Sequence, residues 1–381
     1  MASEHDHKSQ AFRADELLRE AGALRAPLSY KTEKELMVMC NRKVLFICKQ
    51  RMTGGGYLTS SGLFNSVSML VKSLNKMGFD ACSVDVVDGN DIDREVFKHN
   101  PALVIIEAFW VTPEKLSELT KLHHHKGRKW VVRNHSKMPF LASEGIGLPW
   151  LLEYVNIPHV KVACNSVEPL EALEQVTGKR IDYLPNIYTA EKPGMFDYIK
   201  LTSDNALDIG CFGALRLFKN HVNQFLAAIQ FAKEEGKHLY FHINKSRIEG
   251  PNADCVYKAV KALGSLPGVT LVEHPWVSHK DFISLMAKMD LSMQVSYTET
   301  FNIVTADAVI SQVPVLGSRD IEWLPKEFTA DPNIVEDIVC GMDRVLNHYD
   351  FDKMSSINEK ALESYNDEAS ANWHYYLNCC I

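Results

Sequence analysis

Residues 290–318, DLSMQVSYTETFNIVTADAVISQVPVLGS, decide the reading of the whole chain. The alternating run from Leu291 to Val295 is strand-length, a polar turn follows, residues 300–311 carry a helical pattern, and a Pro-Val strand comes next. A helix that begins directly after a parallel strand aims its first backbone N–H groups into the crevice at the sheet's carboxyl edge. That is a ready site for a diphosphate. Thr300, Phe301 and Asn302 stand at this opening. Glu299, on the turn, and Asp307, two turns along, are carboxylates able to accept hydrogen bonds from the hydroxyls of a ligand held there. For such a pair in isolation, capping and surface charge is the plainer reading; the surrounding pattern favours binding.

The same strand–helix grammar extends outward from this segment. Further strands are expected at 208–212, 238–243, 269–272 and 313–316, with helices at 221–236, 253–264, 280–289 and 334–348. Nearer the N-terminus, strands are expected at 44–48, 81–86, 102–107, 129–133, 160–164 and 180–184, with helices at 61–76, 113–126 and 167–177. Strands separated by helices of this length imply parallel, doubly wound sheets. Between the two series lies PNIYTAEKPGMFDYIKLTSDN (185–205), rich in turn formers and without helical periodicity. The organisation expected is therefore an N-terminal extension over 1–42, with an amphipathic run at 12–24, and a first α/β domain over 43–185. A linker over 186–206, a second α/β domain over 207–353 and a helix over 354–381 that crosses back to brace the first domain complete it.

Bulk properties agree. A chain of 381 residues, 46% hydrophobic and 23% charged, is globular and long enough for two cores. Its net charge of −7 excludes a surface coated in positive charge but not a local basic groove. Apolar stretches such as VLFICK (44–49) and ALVIIEAFWV (102–111) are interrupted by charge and fall far short of the roughly 20 residues of a membrane span. MASEHDHKSQ has no apolar core of a secretory signal, and nine scattered cysteines form no CxxC pair, so a reducing cytoplasm is the expected location.

The acid, seven residues, acid spacing of Glu299 and Asp307 between strand and helix resembles the signature of the retaining glycosyltransferase family 4. That family usually has Glu in the second position, where this chain has Asp. A second match is IGCFGALRLFKNHVNQFLAAI (209–229), which resembles the family's opening strand of the C-terminal domain with Gly213, then Arg216 and Lys219 facing the diphosphate. The segment GVTLVEHPWVSHKDFISLMAKMD (268–290) resembles the loop that holds the nucleobase; His274 and Trp276 are candidates for base contact, with ordinary packing equally open. The resemblance implies two Rossmann-like doubly wound domains facing across a cleft, the GT-B arrangement, and a UDP-sugar as the favoured donor.

In the first domain the resemblance is weaker. Gly54, Gly55 and Gly56 precede a helix in KQRMTGGGYLTSSGLFNSV (49–67), a donor-sugar contact or simply a flexible turn. In RNHSKMPFLASEG (133–145), His135 follows a strand end, where retaining relatives often carry a His facing the donor sugar. Asp91 and Asp93 spell a metal-binding Asp-x-Asp, but they open a short helix, which favours a capping role. His123, His124 and His125 are consecutive and are expected to point in three directions, so no metal site is assigned. Ser61 and Ser166 lack the context of a catalytic serine.

The function expected is metal-independent transfer of a sugar from a nucleotide diphosphate to an acceptor hydroxyl with retention. Front-face attack is implied by the resemblance, and the catalytic candidates are Glu299, His135, Arg216 and Lys219. A nucleotide-sugar 2-epimerase and a non-catalytic nucleotide- or glycan-binding protein are the rivals. The HSKMPFLASEG wording is similar to glycosyltransferases of tailed bacteriophages, which implies a hydroxymethylated base of phage DNA as acceptor. Lys49, Arg51, Arg133 and Lys137 would then form the basic track; a polysaccharide or small-molecule acceptor stands close behind.

Overall fold

The computed structural model describes residues 42–50, 52–53, 56–57, 62–198, 202–203, 205–250 and 252–380. The amphipathic run at 12–24, Arg51, Gly54, Gly55 and Ser61 lie outside the described residues.

Two six-stranded parallel sheets organise the chain. The first contains β1 (Lys43–Lys49), β4 (Asp80–Val86), β5 (Leu103–Glu107), β6 (Lys129–Asn134), β7 (Val160–Cys164) and β8 (Asp182–Tyr183), in the order β4-β1-β5-β6-β7-β8. A two-strand hairpin, β2 (Met52–Thr53) with β3 (Gly56–Tyr57), follows β1. The second sheet contains β9 (Ala206–Gly210), β10 (His238–Asn244), β11 (Val269–His274), β12 (Leu291–Gln294), β13 (Val315–Ser318) and β14 (Thr329–Ala330), in the order β11-β10-β9-β12-β13-β14. Val44 to Ile47 and Leu103 to Ile106 are buried on both faces, as helix-covered parallel strands must be. In the second sheet the chain reverses its winding between β9 and β12, and a crevice opens at the carboxyl end of such a pair.

The helices are α1 (Gly62–Lys76), α2 (Asp91–His99), α3 (Pro113–Lys121), α4 (Met138–Glu144), α5 (Gly147–Tyr154), α6 (Leu170–Thr177), α7 (His221–Glu234), α8 (Ala253–Leu263), α9 (His279–Met286), α10 (Ile303–Ile310), α11 (Val335–Asp343) and α12 (Phe351–Cys380). Most expected elements appear within a few residues of their places. The helix expected over 113–126 ends at Lys121 and continues only as a 3-10 turn, His123–His125. That expected over 334–348 ends at Asp343 and widens into a π turn, Arg344–His348. Helices α4 and α5 are not legible as periodic segments; each is about two turns long, and Gly145, at φ +71, breaks them apart.

Helix α12 crosses back, as expected. Met354 and Leu362 near its start pack into the core of the second sheet. Ala369, Trp373 and Leu377 near its end pack with Val44, Phe46 and Leu103 of the first. The Trp373 indole Nε1 donates to the Pro185 carbonyl at 2.7 Å, satisfying the one polar atom of a fully buried ring. Among the described residues no helix is long and apolar enough to cross a membrane.

Asp91 and Asp93 do open a short helix, but the N-cap is Asn90, which makes no side-chain cap bond. Asp91 instead accepts from the Val87 backbone N–H at 3.1 Å. His124 and His125 do not diverge: both Nε2 atoms meet Asp93 Oδ1, at 2.6 and 2.8 Å.

Candidate functional site

A cavity of about 570 Å³ lies between the two sheets, lined from both. On the second domain's wall, β9 runs out into Cys211, Phe212 and Gly213. Gly213 sits at φ +114, which a side chain rarely adopts, and a Cβ there would meet Lys219 Cε at 3.8 Å. The backbone therefore passes close to the Lys219 ammonium. Lys219 closes a 3-10 turn and its Nζ is ion-paired with Glu299 Oε1. The two side chains are 19% and 11% exposed, so the pair sits at the surface of the cavity rather than beneath it.

Arg216, the other expected cation, also lines the cavity. Its Nη2 binds Glu249 Oε2 at 2.7 Å, and its guanidinium lies 5.3 Å from the centre of the Phe140 ring. Glu249 is shared with Arg247, which covers the Trp276 ring at 4.7 Å. Trp276 lines the cavity together with Glu249.

Helix α10 opens on the cavity floor. Asn302, at φ +52, caps it by accepting from Thr305 N at 3.1 Å and donates to Gln294 Oε1 at 3.0 Å. Thr300 bridges the domains: its hydroxyl accepts from Asn165 Nδ2 at 3.2 Å and donates to the His135 carbonyl at 3.4 Å. Phe301 is buried against Tyr188, Trp323 and Tyr365 and serves packing as well as lining. Asp307 is 2% exposed and borders a smaller cavity of about 50 Å³, with Asn65, Gly213, Asn244, Trp276 and His279. Its Oδ1 already accepts from Tyr188 Oη at 2.6 Å and His279 Nε2 at 2.7 Å. Burial works to lower the His279 pKa, but the hydrogen bond and charge of Asp307 outweigh it and raise the value.

On the first domain's wall, His135 follows β6 and lines the cavity. Its Nε2 is bonded to Glu107 Oε2, and its Nδ1 lies 3.4 Å from Asn165 Nδ2. With Nε2–H donating to the carboxylate, Nδ1 is left as an acceptor. Glu107 ends β5 and is fully buried, gripped by Arg133 Nη1 at 3.0 and 3.2 Å. Burial alone would lift the Glu107 carboxyl; Arg133 and then His135 prevail and hold it below its ordinary value. Burial, followed by the Arg133 charge, lowers the His135 pKa.

Several expectations are corrected here. Arg133 is fully buried, spending its guanidinium on Glu107, the Leu184 carbonyl (2.8 Å) and Asn186 Oδ1 (2.5 Å); it offers nothing to an external anion. Lys137 is 5% exposed and committed to the second domain, at 2.9 Å from the Asp320 carbonyl and 3.4 Å from Glu322 Oε1. His274 lines neither cavity. It stacks on His242 and faces its Nδ1 at 2.9 Å, while His242 Nε2 meets Asp208 at 3.0 Å, an internal chain along the sheet. Burial and the neighbouring His242 press the His274 pKa down to about 4. Gly56 lies in the hairpin strand β3, and Lys49, exposed at the end of β1, does not line the cavity.

Sequence reasoning missed Glu107, Asn165, Glu249 and His279. Glu107 carried a signal: a carboxylate ending the otherwise apolar strand LVIIE. Asn165 and Glu249 lie in loops, where nothing local marks them.

No protein-family model and no curated protein sequence matches the chain. Its fold is that of solved nucleotide-sugar enzymes. A UDP-forming α,α-trehalose-phosphate synthase from Burkholderia xenovorans in complex with glucose-6-phosphate is 10% identical, with 89% of this chain and 99% of that one covered, at a TM-score of 0.64. The sucrose-phosphate synthase of Thermosynechococcus elongatus is 14% identical over 88% and 98%, at 0.63. HepE of Anabaena in complex with UDP-glucose is 14% identical over 87% and 99%, also at 0.63. At these identities the likeness defines the fold class, GT-B, and no more.

Proposed function

We propose that the chain transfers a sugar from a UDP-sugar to an acceptor hydroxyl, without a metal ion and with retention, as in glycosyltransferase family 4. The observation that carries this reading is the convergence of Lys219, Glu299, His135 and the opening of α10 on one cavity between the sheets. The diphosphate lies against Lys219, Arg216 and the first N–H groups of α10, whose charges offset what develops on the leaving nucleotide. Glu299 orients the sugar hydroxyls. Trp276, which lines both cavities, serves the nucleoside, with Asp307 at the edge of the smaller one on the ribose side. Neutral His135, fixed by Glu107, offers Nδ1 to a hydroxyl. The acceptor's proton passes to the leaving phosphate oxygen as the anomeric carbon–oxygen bond breaks, so positioning and charge stabilisation do the catalysis. Full-length relatives in structure include enzymes named for UDP-forming synthesis and one bound to UDP-glucose, which supports UDP as the nucleotide.

The acceptor reading follows the charges. A DNA track loses Arg133 to burial and Lys137 to its ion pairs. A cavity of about 570 Å³ falls within the roughly 300–1,000 Å³ of small-molecule sites, which favours a small hydroxylated acceptor such as a sugar or sugar phosphate. The test supplies UDP-sugars with EDTA and, separately, saccharides, sugar phosphates and duplex DNA containing 5-hydroxymethylcytosine. Transfer to a small acceptor with an unchanged anomeric configuration by proton NMR is expected. Transfer to the DNA alone overturns the acceptor reading, and an absolute need for Mg²⁺ or Mn²⁺ overturns metal independence.

A further inference from the structure

The second acid of the Asp-x-Asp and two of the consecutive histidines meet on the first domain, away from the cavity. Asp93 lies in the first turn of α2, and His124 and His125 form the 3-10 turn between α3 and β6. One donor atom from each, Asp93 Oδ1 and two Nε2 atoms, lie within 4.8 Å of one another. In a 3-10 turn successive side chains diverge by about a third of a turn. Here the two rings nevertheless converge, with centroids 4.3 Å apart.

His125 is the second observation. Its side chain is fully buried, edge-on to Trp130 at 5.7 Å, yet neither ring nitrogen is in hydrogen-bond alignment with a partner. Its Nε2 faces Asp93 Oδ1 at 2.8 Å all the same. A buried imidazole left in this state is costly, and such groups call for a bound ion or water. We propose that Asp93, His124 and His125 hold a divalent zinc ion, which ties the start of α2 to the turn before β6.

The donor set selects the ion. Two imidazoles and one carboxylate suit zinc and its late transition-metal neighbours, whereas Ca²⁺ and Mg²⁺ need shells dominated by oxygen. Zinc bonds of about 2.0–2.2 Å place tetrahedral donors roughly 3.3 Å apart. The observed 2.6 and 2.8 Å separations must therefore open slightly. Asp93 and His124 can give way, being 44% and 40% exposed, while packing fixes His125. The same exposure leaves the fourth position to water. Arg128, three residues after His125, is turned to the Asn100 side chain at 2.8 Å and the Pro101 carbonyl. Asp91 stays outside the set, paired with Arg94 at 3.0 Å.

The experiment uses the full chain, stripped with EDTA and dialysed, then titrated with Zn²⁺ in competition with a chromophoric chelator. One ion per chain is expected at micromolar affinity or tighter, with a rise in Tm when zinc is added. His124→Gln, on a half-exposed side chain, should weaken binding at least about tenfold, as loss of one of three ligands requires. Asp93→Asn should do the same, and His123→Gln, outside the set, should leave it unchanged. Failure to bind Zn²⁺ at micromolar concentration overturns the proposal. So does an affinity that neither His124→Gln nor Asp93→Asn reduces, even with one ion bound. Sugar transfer should be equal with and without zinc, so the two proposals fail separately.

Discussion

Lys219 and Glu299 form an ion pair on the second domain's wall of the cavity, although one follows β9 and the other follows β12. The pair spans the point where the second sheet reverses its winding, where ligands of such sheets settle. Each residue holds the other in place, and each is exposed enough to change partners. In the proposed reaction, a diphosphate that drew Lys219 toward itself would free Glu299 for the sugar.

Glu299→Gln keeps the shape and removes the charge. Turnover should fall by at least about 100-fold, the scale for one electrostatic contact at a transition state, with the circular dichroism spectrum unchanged. Near-wild-type turnover in the folded variant would remove Glu299 from the site.

Lys219→Ala should weaken UDP binding at least about tenfold and leave uridine within about twofold, because a cation aimed at phosphate acts only when phosphate is there. Calorimetry with both ligands decides it; equal losses indicate a structural lysine.

Glu107 and Arg133 are both fully buried. Removing one partner strands the other's charge, so Glu107→Ala should cost about 3–5 kcal/mol of stability. Arg133→Met combined with Glu107→Leu should cost less than the single change. Denaturant melts of both variants check the order, and a double change worse than the single one contradicts it.

His221, at the start of α7, is buried, and burial together with Lys219 presses its pKa to about 3. The folded value lies below the unfolded one near 6.5, so unfolded chains bind the proton first. The stability attributable to this group is therefore intact above pH 6.5 and lost as pH falls toward 3, by up to about 1.4 kcal/mol per unit. Tm should drop through this window, and less steeply in His221→Gln. Equal slopes would assign the acid loss to other groups.

Much of this architecture was legible because parallel strands buried on both faces leave continuous apolar runs. Val44 to Ile47 and Leu103 to Ile106 are such runs. The acids of 290–318 were legible because strand, turn and helix are contiguous there. What escaped were relations between distant segments. Arg133 reads as a free cation until β5 brings Glu107 beside it. Lys137 looks available until Asp320 and Glu322 arrive from the other domain. His274 reads as a base contact until β10 sets His242 beside it. In each case a polar group's partner came from another strand or the other domain, which no local pattern encodes.

A cavity that activates a UDP-sugar must release UDP from it. Purified protein is incubated with a panel of UDP-sugars in EDTA, with and without small hydroxylated acceptors, and freed UDP is measured by an enzyme-coupled assay. UDP release from at least one donor is expected, stimulated by an acceptor, and lost in both Glu299→Gln and Lys219→Ala. If no UDP-sugar is consumed and none binds in calorimetry, the cavity is not a donor site.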